Sequence, residues 1–166
     1  ALVIDLGGGT TDYVAYAGSR LAAAGSLAIG GDHVTNDIAL AFKISGRQAE
    51  HMKRQSGSAT IDVANCMRQI TVPAEVGFQG RTFTVGALHT VINARMEELF
   101  QMIRGRINAE DLILNGAGVI LAGGGARLRG ARELAERVFR LPCTIGRVYG
   151  VSGLAQVTEG PEYATT

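Results

Sequence analysis

The sequence predicts an α/β protein in which a mixed sheet with flanking helices is joined to a smaller α+β lobe. Three observations carry this. Short apolar runs bounded by glycine clusters alternate with segments of helical periodicity. Two of those runs, residues 1–6 and 118–122, each end in a Gly-Gly-Gly knot. The chain has 166 residues, 46% of them hydrophobic, enough to bury a substantial core.

Taken in order, residues 2–6 read as a buried strand, residues 11–16 as its antiparallel partner and residues 21–29 as a third strand. The resulting meander closes at Gly30-Gly31-Asp32. Residues 34–43 read as a helix, with Thr35, Asn36 and Asp37 as N-terminal oxygens and Lys43 in the last turn. Ser45 and Gln48 match a capping box and start a second helix that runs to about Arg54. Two strands follow at 69–73 and 81–85, joined by a turn-rich connection. The longest helix spans about 87–107, where Leu88, Val91, Ile92, Met96, Leu99, Ile103 and Ile107 form one apolar stripe. Residues 113–118 lead into the second glycine knot. An amphipathic helix at 127–139 and a strand at 142–147 close the chain. Residues 1–33 and 114–166 are assigned to the core lobe and 34–113 to the smaller one.

Composition excludes several classes. A net charge of +1 gives no dedicated nucleic-acid surface. No run approaches the ~20 apolar residues of a membrane span, and no signal peptide is legible. Cys66 and Cys143 lack metal-ligand spacing and read as reduced thiols. His33, His51 and His89 are scattered, so no zinc site, Ser-His-Asp set or Cys-His pair assembles. The chain opens without an initiator Met and is expected to be an excised piece of a longer protein. Glycine, at 23 residues, is about twice its usual ~7% share, which points to backbone-lined sites.

The glycine knots carry the chemistry. In Asp5-Leu-Gly7-Gly8-Gly9-Thr10-Thr11-Asp12, backbone without Cβ lets amides point into a concavity that suits phosphate oxygens. Asp5 at the strand end suits a hydrated magnesium ion beside them, held through water, or is a structural strand-end carboxylate. The second knot, Ala122-Gly123-Gly124-Gly125-Ala126-Arg127, opens straight into a helix whose first amides favour an anionic or polar group. Glu50 and Lys53 share a helix face; on spacing alone they read as a solvated ion pair.

At these residues the chain resembles the superfamily of actin, DnaK-type chaperones and sugar kinases, whose fold is an actin-like, ribonuclease H-like mixed sheet. The first knot looks like its second phosphate loop and the second like its adenosine motif. Gly30-Gly-Asp-His-Val-Thr-Asn-Asp-Ile-Ala39, Ala49-Glu50-His-Met-Lys53, Glu133-Leu-Ala-Glu-Arg-Val-Phe139, Thr144-Ile-Gly146, Gly153-Leu and Pro161-Glu-Tyr-Ala-Thr165 are similar to the FtsA family of bacterial cell-division proteins, in its C-terminal half, lobes IIA and IIB.

The resemblance implies ATP and magnesium as cofactors. Gly7, Gly8, Gly9 and Thr10 would surround the phosphates. Glu50 and Lys53 would reach the ribose, and Arg54 would stack on adenine. Gly123, Gly124 and Gly125 would let the backbone approach base and ribose, with Arg127 covering the adenine. Arg95 and Glu98 match positions on the face used for FtsZ contact, although a charged helix face is also what solvent selects. The implied whole protein is cytoplasmic and peripheral at the division site. It polymerises with itself and tethers FtsZ to the cytoplasmic face of the inner membrane through a segment absent here, with at most slow ATP turnover. The isolated chain would hydrolyse nothing. The alternatives are a sugar or acetate kinase of the same fold and an MreB- or PilM-like filament or assembly protein; the segments at 30–39 and 161–165 favour FtsA.

Overall fold

The computed structural model describes residues 1–107 and 118–146. The expected lead-in at 113–117, the last residue of the closing strand, Gly153-Leu, the 161–165 segment and the lobe boundary at 113/114 lie outside them. The first three strands form the expected antiparallel meander: β1 (Leu2–Leu6), β2 (Thr11–Ala17) and β3 (Arg20–Leu27). On the other side of β1, β6 (Val119–Ala122) pairs parallel, and β7 (Cys143–Ile145) pairs parallel with β6. The order is β3-β2-β1-β6-β7, a mixed sheet. A separate ribbon pairs β4 (Gln69–Val72) with β5 (Arg81–Thr84). Alternation does the work in β1: Leu2, Ile4 and Leu6 are buried, while Val3 and Asp5 face the other side.

Four helices complete the described residues: α1 (Gly31–Phe42), α2 (Gly46–Ser56), α3 (Val85–Arg104) and α4 (Ala131–Phe139). One hydrophobic cluster joins Ile4 and Leu121 of the sheet to Ile38 of α1, Ile92 of α3 and Leu134 of α4. The core therefore runs across both predicted lobes. Phe100 and Phe139 meet edge to face at 5.7 Å and lock α3 to α4. Phe42 and Phe83, with ring centroids 4.4 Å apart, tie α1 to the β4–β5 ribbon.

Three expectations are corrected. First, α1 starts at Gly31, a turn earlier than its side-chain oxygens implied. Its first amides find acceptors in the first glycine loop: Gly31 N–H donates to the Gly7 carbonyl and Asp32 N–H to that of Gly8, each at 2.9 Å. Thr35, Asn36 and Asp37 thus lie inside the helix. Lys43, rather than sitting in the last turn, is the C-cap at φ 52°. Second, α3 begins at Val85, capped by Thr84, whose hydroxyl accepts from Ala87 N–H at 3.2 Å. It ends at Arg104, although Ile107 still reaches the core. Third, the second knot does not open straight into an α-helix. A single 3-10 turn covers Gly124–Arg127, and α4 starts only after Gly130, at φ 73°. The α2 prediction holds, with Ser45 and Gln48 exchanging both capping bonds at 3.2 Å.

Candidate functional site

The sheet topology brings the two glycine knots together. Strands β1 and β6 are parallel neighbours with Asp5 opposite Ala122, so the loops that follow them leave the same end of the sheet. That end, outside the carboxyl ends of parallel strands, is where open α/β sheets bind ligands. The loops also interlock. A Cβ on Gly123 (φ 79°) would overlap the Asp5 carboxylate and lie 2.7 Å from the Leu6 carbonyl, and one on Gly125 would lie 2.7 Å from Leu6 Cβ. Only glycine allows this approach.

Together the loops line one cavity of about 720 Å³, in the range of small-molecule and cofactor sites. Gly7 and Gly8 contribute from the first loop, and Gly124, Gly125 and Arg127 from the second. Glu50, Lys53 and Arg54 of α2 form a polar wall, and Val34, Met96 and Leu99 lie behind them as an apolar one. Gly7 N–H is occupied by the Thr10 carbonyl at 3.0 Å. The amides of Gly8 and Gly9 have no acceptor among the described residues. A Cβ on Gly124 would meet nothing within 4 Å, so this glycine faces open space in the cavity.

Four of the residues expected to hold the nucleotide or its metal stand off the cavity lining. Gly9 and Thr10 form the exposed tip of the first loop, Gly123 is buried, and Asp5 lies against it, half-buried, accepting no hydrogen bond from the described residues. Arg95 and Glu98 lie on α3 beside α1. Arg95 grips Asp37 with two bonds, Nε to Oδ2 at 2.5 Å and a terminal nitrogen to Oδ1 at 3.0 Å, and Glu98 with a third at 2.6 Å. The Arg95 guanidinium is therefore a strut between two helices rather than an idle surface charge.

The α2 wall is the most organised part of the site. Lys53 Nζ donates to Glu50 at 2.6 Å, to the Thr35 hydroxyl at 2.7 Å and to the Gly31 carbonyl at 2.9 Å. Arg54 Nε donates to Glu50 at 2.7 Å. Burial pushes the Glu50 carboxyl up, but hydrogen bonds from Lys53, Thr35 and Arg54 outweigh it and hold it down at about 2. Sequence reasoning missed Thr35, Asp32 and Arg129 as site residues. Arg129 lines the cavity and donates to the Gly57 carbonyl at 3.2 Å, closing the far end of α2 onto the second loop. The Gly30-Gly31 pair was the available signal, since a backbone that close to Gly7 and Gly8 leaves no room for Cβ: one on Gly30 would come within 2.6 Å of the Gly7 carbonyl.

The profile of the family described as Cell division protein FtsA matches residues 2–166. Cell division protein FtsA of Pseudomonas aeruginosa is 36% identical over 166 residues, 98% of this chain and 39% of that protein. Its counterpart in Escherichia coli K12 is 32% identical over 171 residues, 98% of this chain and 41% of that protein. The chain thus spans about two fifths of the length of the curated relatives it matches. Among solved structures, MreB 5 of Spiroplasma citri bound to AMPPNP aligns with a TM-score of 0.71 at 23% identity, over 87% of this chain and 47% of that one. A non-polymerising mutant of MamK bound to AMPPNP aligns at 0.67 and 19% identity, over 89% of this chain and 50% of that one. These likenesses show an actin-like fold.

Proposed function

We propose that this chain, which belongs to the Cell division protein FtsA family, supplies one half of an ATP site in an actin-like division scaffold. One observation carries the reading: two glycine loops 116 residues apart in sequence (Gly8 to Gly124) converge on a single cavity that α2 walls with charge. The donor set fits a nucleoside triphosphate. The amides of Gly8 and Gly9, without an acceptor among the described residues, suit phosphate oxygens, the open face of Gly124 leaves room for a sugar or base, and Arg127 suits stacking on a planar ring. Asp5, half-buried with no hydrogen-bond partner among the described residues, is the carboxylate that would hold magnesium through water. Bound magnesium supplies charge neutralisation for the phosphates. The backbone holds them, and α2 orients the rest of the ligand.

In the whole protein the nucleotide acts chiefly by holding the two halves closed, a shift in population toward the form that assembles. That form polymerises with itself and tethers FtsZ to the inner membrane at the septum. The structural neighbours support the nucleotide part: MreB 5 and MamK are described as bound to AMPPNP, and MamK also as a double helical filament.

The test is Gly124→Val in a full-length protein that contains this chain. Gly124 has free space around it, so the fold should tolerate the side chain while the cavity loses room for ligand. Calorimetry should show ATP affinity reduced by at least tenfold with an unchanged melting temperature. Unchanged affinity would remove the second loop from the site. ATP consumption that depended on an added sugar or acetate would favour the kinase reading instead.

A further inference from the structure

Thr35 enters the sequence reading only as a helix-start oxygen, yet its hydroxyl stands between the two charged groups of the α2 wall. It accepts from Lys53 Nζ at 2.7 Å and donates to Glu50 Oε2 at 2.5 Å. The competing acceptor, the Gly31 carbonyl, is at 3.1 Å and uncharged, so the hydroxyl proton goes to the carboxylate. Lys53 places its remaining protons on Glu50 and on Gly31 O. An ammonium has three donors, and all are taken.

Glu50 is different. It accepts from Lys53, Thr35 and Arg54, while a carboxylate offers about four acceptor sites. No donor among the described residues takes the fourth, on a side chain that is 34% exposed and lines the cavity. An ionised carboxylate repels phosphate, so it serves the uncharged, hydroxyl-bearing part of a ligand whose phosphates lie at the glycine amides.

We propose that Thr35 is a positioning residue: it fixes the Glu50 carboxylate for the ribose contact that the resemblance already implies, and so sets how strongly the cleft prefers ribonucleotides over deoxyribonucleotides. The inference rests on the nucleotide reading above and deepens it. Lys53 is in this arrangement a brace for Glu50 and not itself the donor to the sugar. The low titration of Glu50 is consistent with this, since the carboxylate stays an acceptor across the whole physiological range.

The experiment compares the affinities of ATP, 2′-deoxy-ATP and 3′-deoxy-ATP, by calorimetry, for a full-length protein carrying this chain and for its Thr35→Val and Thr35→Ser variants. Wild type should bind ATP roughly tenfold more tightly than at least one deoxy analogue, the worth of one charge-assisted hydrogen bond. Thr35→Val should cut that ratio by at least half, and Thr35→Ser, which keeps the hydroxyl, should restore it. Loss of fold alone does not change a ratio between two ligands; if Thr35→Val fails to melt cooperatively, Thr35→Ala takes its place. As a ligand-free check, nuclear magnetic resonance should find Glu50 titrating closer to its ordinary 4.5 in Thr35→Val than in wild type. An undiminished ratio in Thr35→Val, or equal loss in Thr35→Ser, overturns the positioning role. Wild type that binds ATP without any preference overturns the sugar contact and leaves the nucleotide reading standing. Wild type that binds no ATP overturns both.

Discussion

Lys53 and Arg95 show how a charged side chain that looks idle in sequence becomes structural once its partners are in place. Each is committed to two or more acceptors, and in both cases at least one of them belongs to α1, a different helix. Their Glu partners at i−3 and i+3 were visible in the sequence; Thr35 and Asp37, the partners that decide their roles, were not. For Arg95 and Asp37 the separation is 58 residues, beyond any local pattern. Arg95→Met should therefore lower stability by about 1–2 kcal/mol, a discounted value for a pair in partial contact with solvent, measurable by urea unfolding. Any loss of partner binding in an Arg95 variant must be judged against that loss of fold. Glu50 sets a pH dependence. Its folded-state titration is depressed to about 2 from 4.5, so its contribution to stability is complete above pH 4.5 and is lost as pH falls toward 2. Melting temperatures of wild type and Glu50→Gln should differ most above pH 4.5 and converge near pH 2. Parallel curves throughout would show that the carboxylate is not held by these bonds.

Among the elements, α2 was legible because its start is local: Ser45 and Gln48 cap each other within one turn. The start of α1 was not, because its first amides are satisfied by Gly7 and Gly8 from across the fold. The same contact gives the first loop its shape, since carbonyls turned toward α1 leave the Gly8 and Gly9 amides facing outward. The break between the second knot and α4 was also hidden. It depends on Gly130, where a Cβ would come within 2.7 Å of Thr60 N, a neighbour invisible in the linear chain. Of the apolar stripe expected on α3, Leu88, Ile92, Met96, Leu99 and Ile103 are buried, Val91 is half-buried and Ile107 lies past the helix end, while Phe100, outside that stripe, is fully buried. Phe100→Ala removes the edge-to-face contact with Phe139 and opens a cavity at the α3–α4 contact. It should cost about 3–5 kcal/mol, read from chemical unfolding, whereas a cost below 1 kcal/mol would mean that the two helices do not depend on this ring pair.

For the whole molecule, the parallel pairing of β1 with β6 is what makes a site out of two distant motifs. It places both loops at one end of the sheet, and the helices that cover the inward face provide the cavity's remaining walls. The sheet and its mixed character could be anticipated from apolar runs and glycine clusters, whereas the convergence of Gly7–Gly8 with Gly124–Gly125 was implied only by the resemblance to the actin-like superfamily. The depth of the α2 wall could not, because it rests on side-chain bonds between α1 and α2. The most direct measurement is a crystal structure of a full-length protein containing this chain, grown with magnesium and a non-hydrolysable ATP analogue. One analogue is expected, with its phosphates at the amides of Gly8 and Gly9 and its nucleoside beside Gly124 and Glu50. An analogue bound elsewhere, or one touching a single glycine loop with the other left clear, would contradict that arrangement.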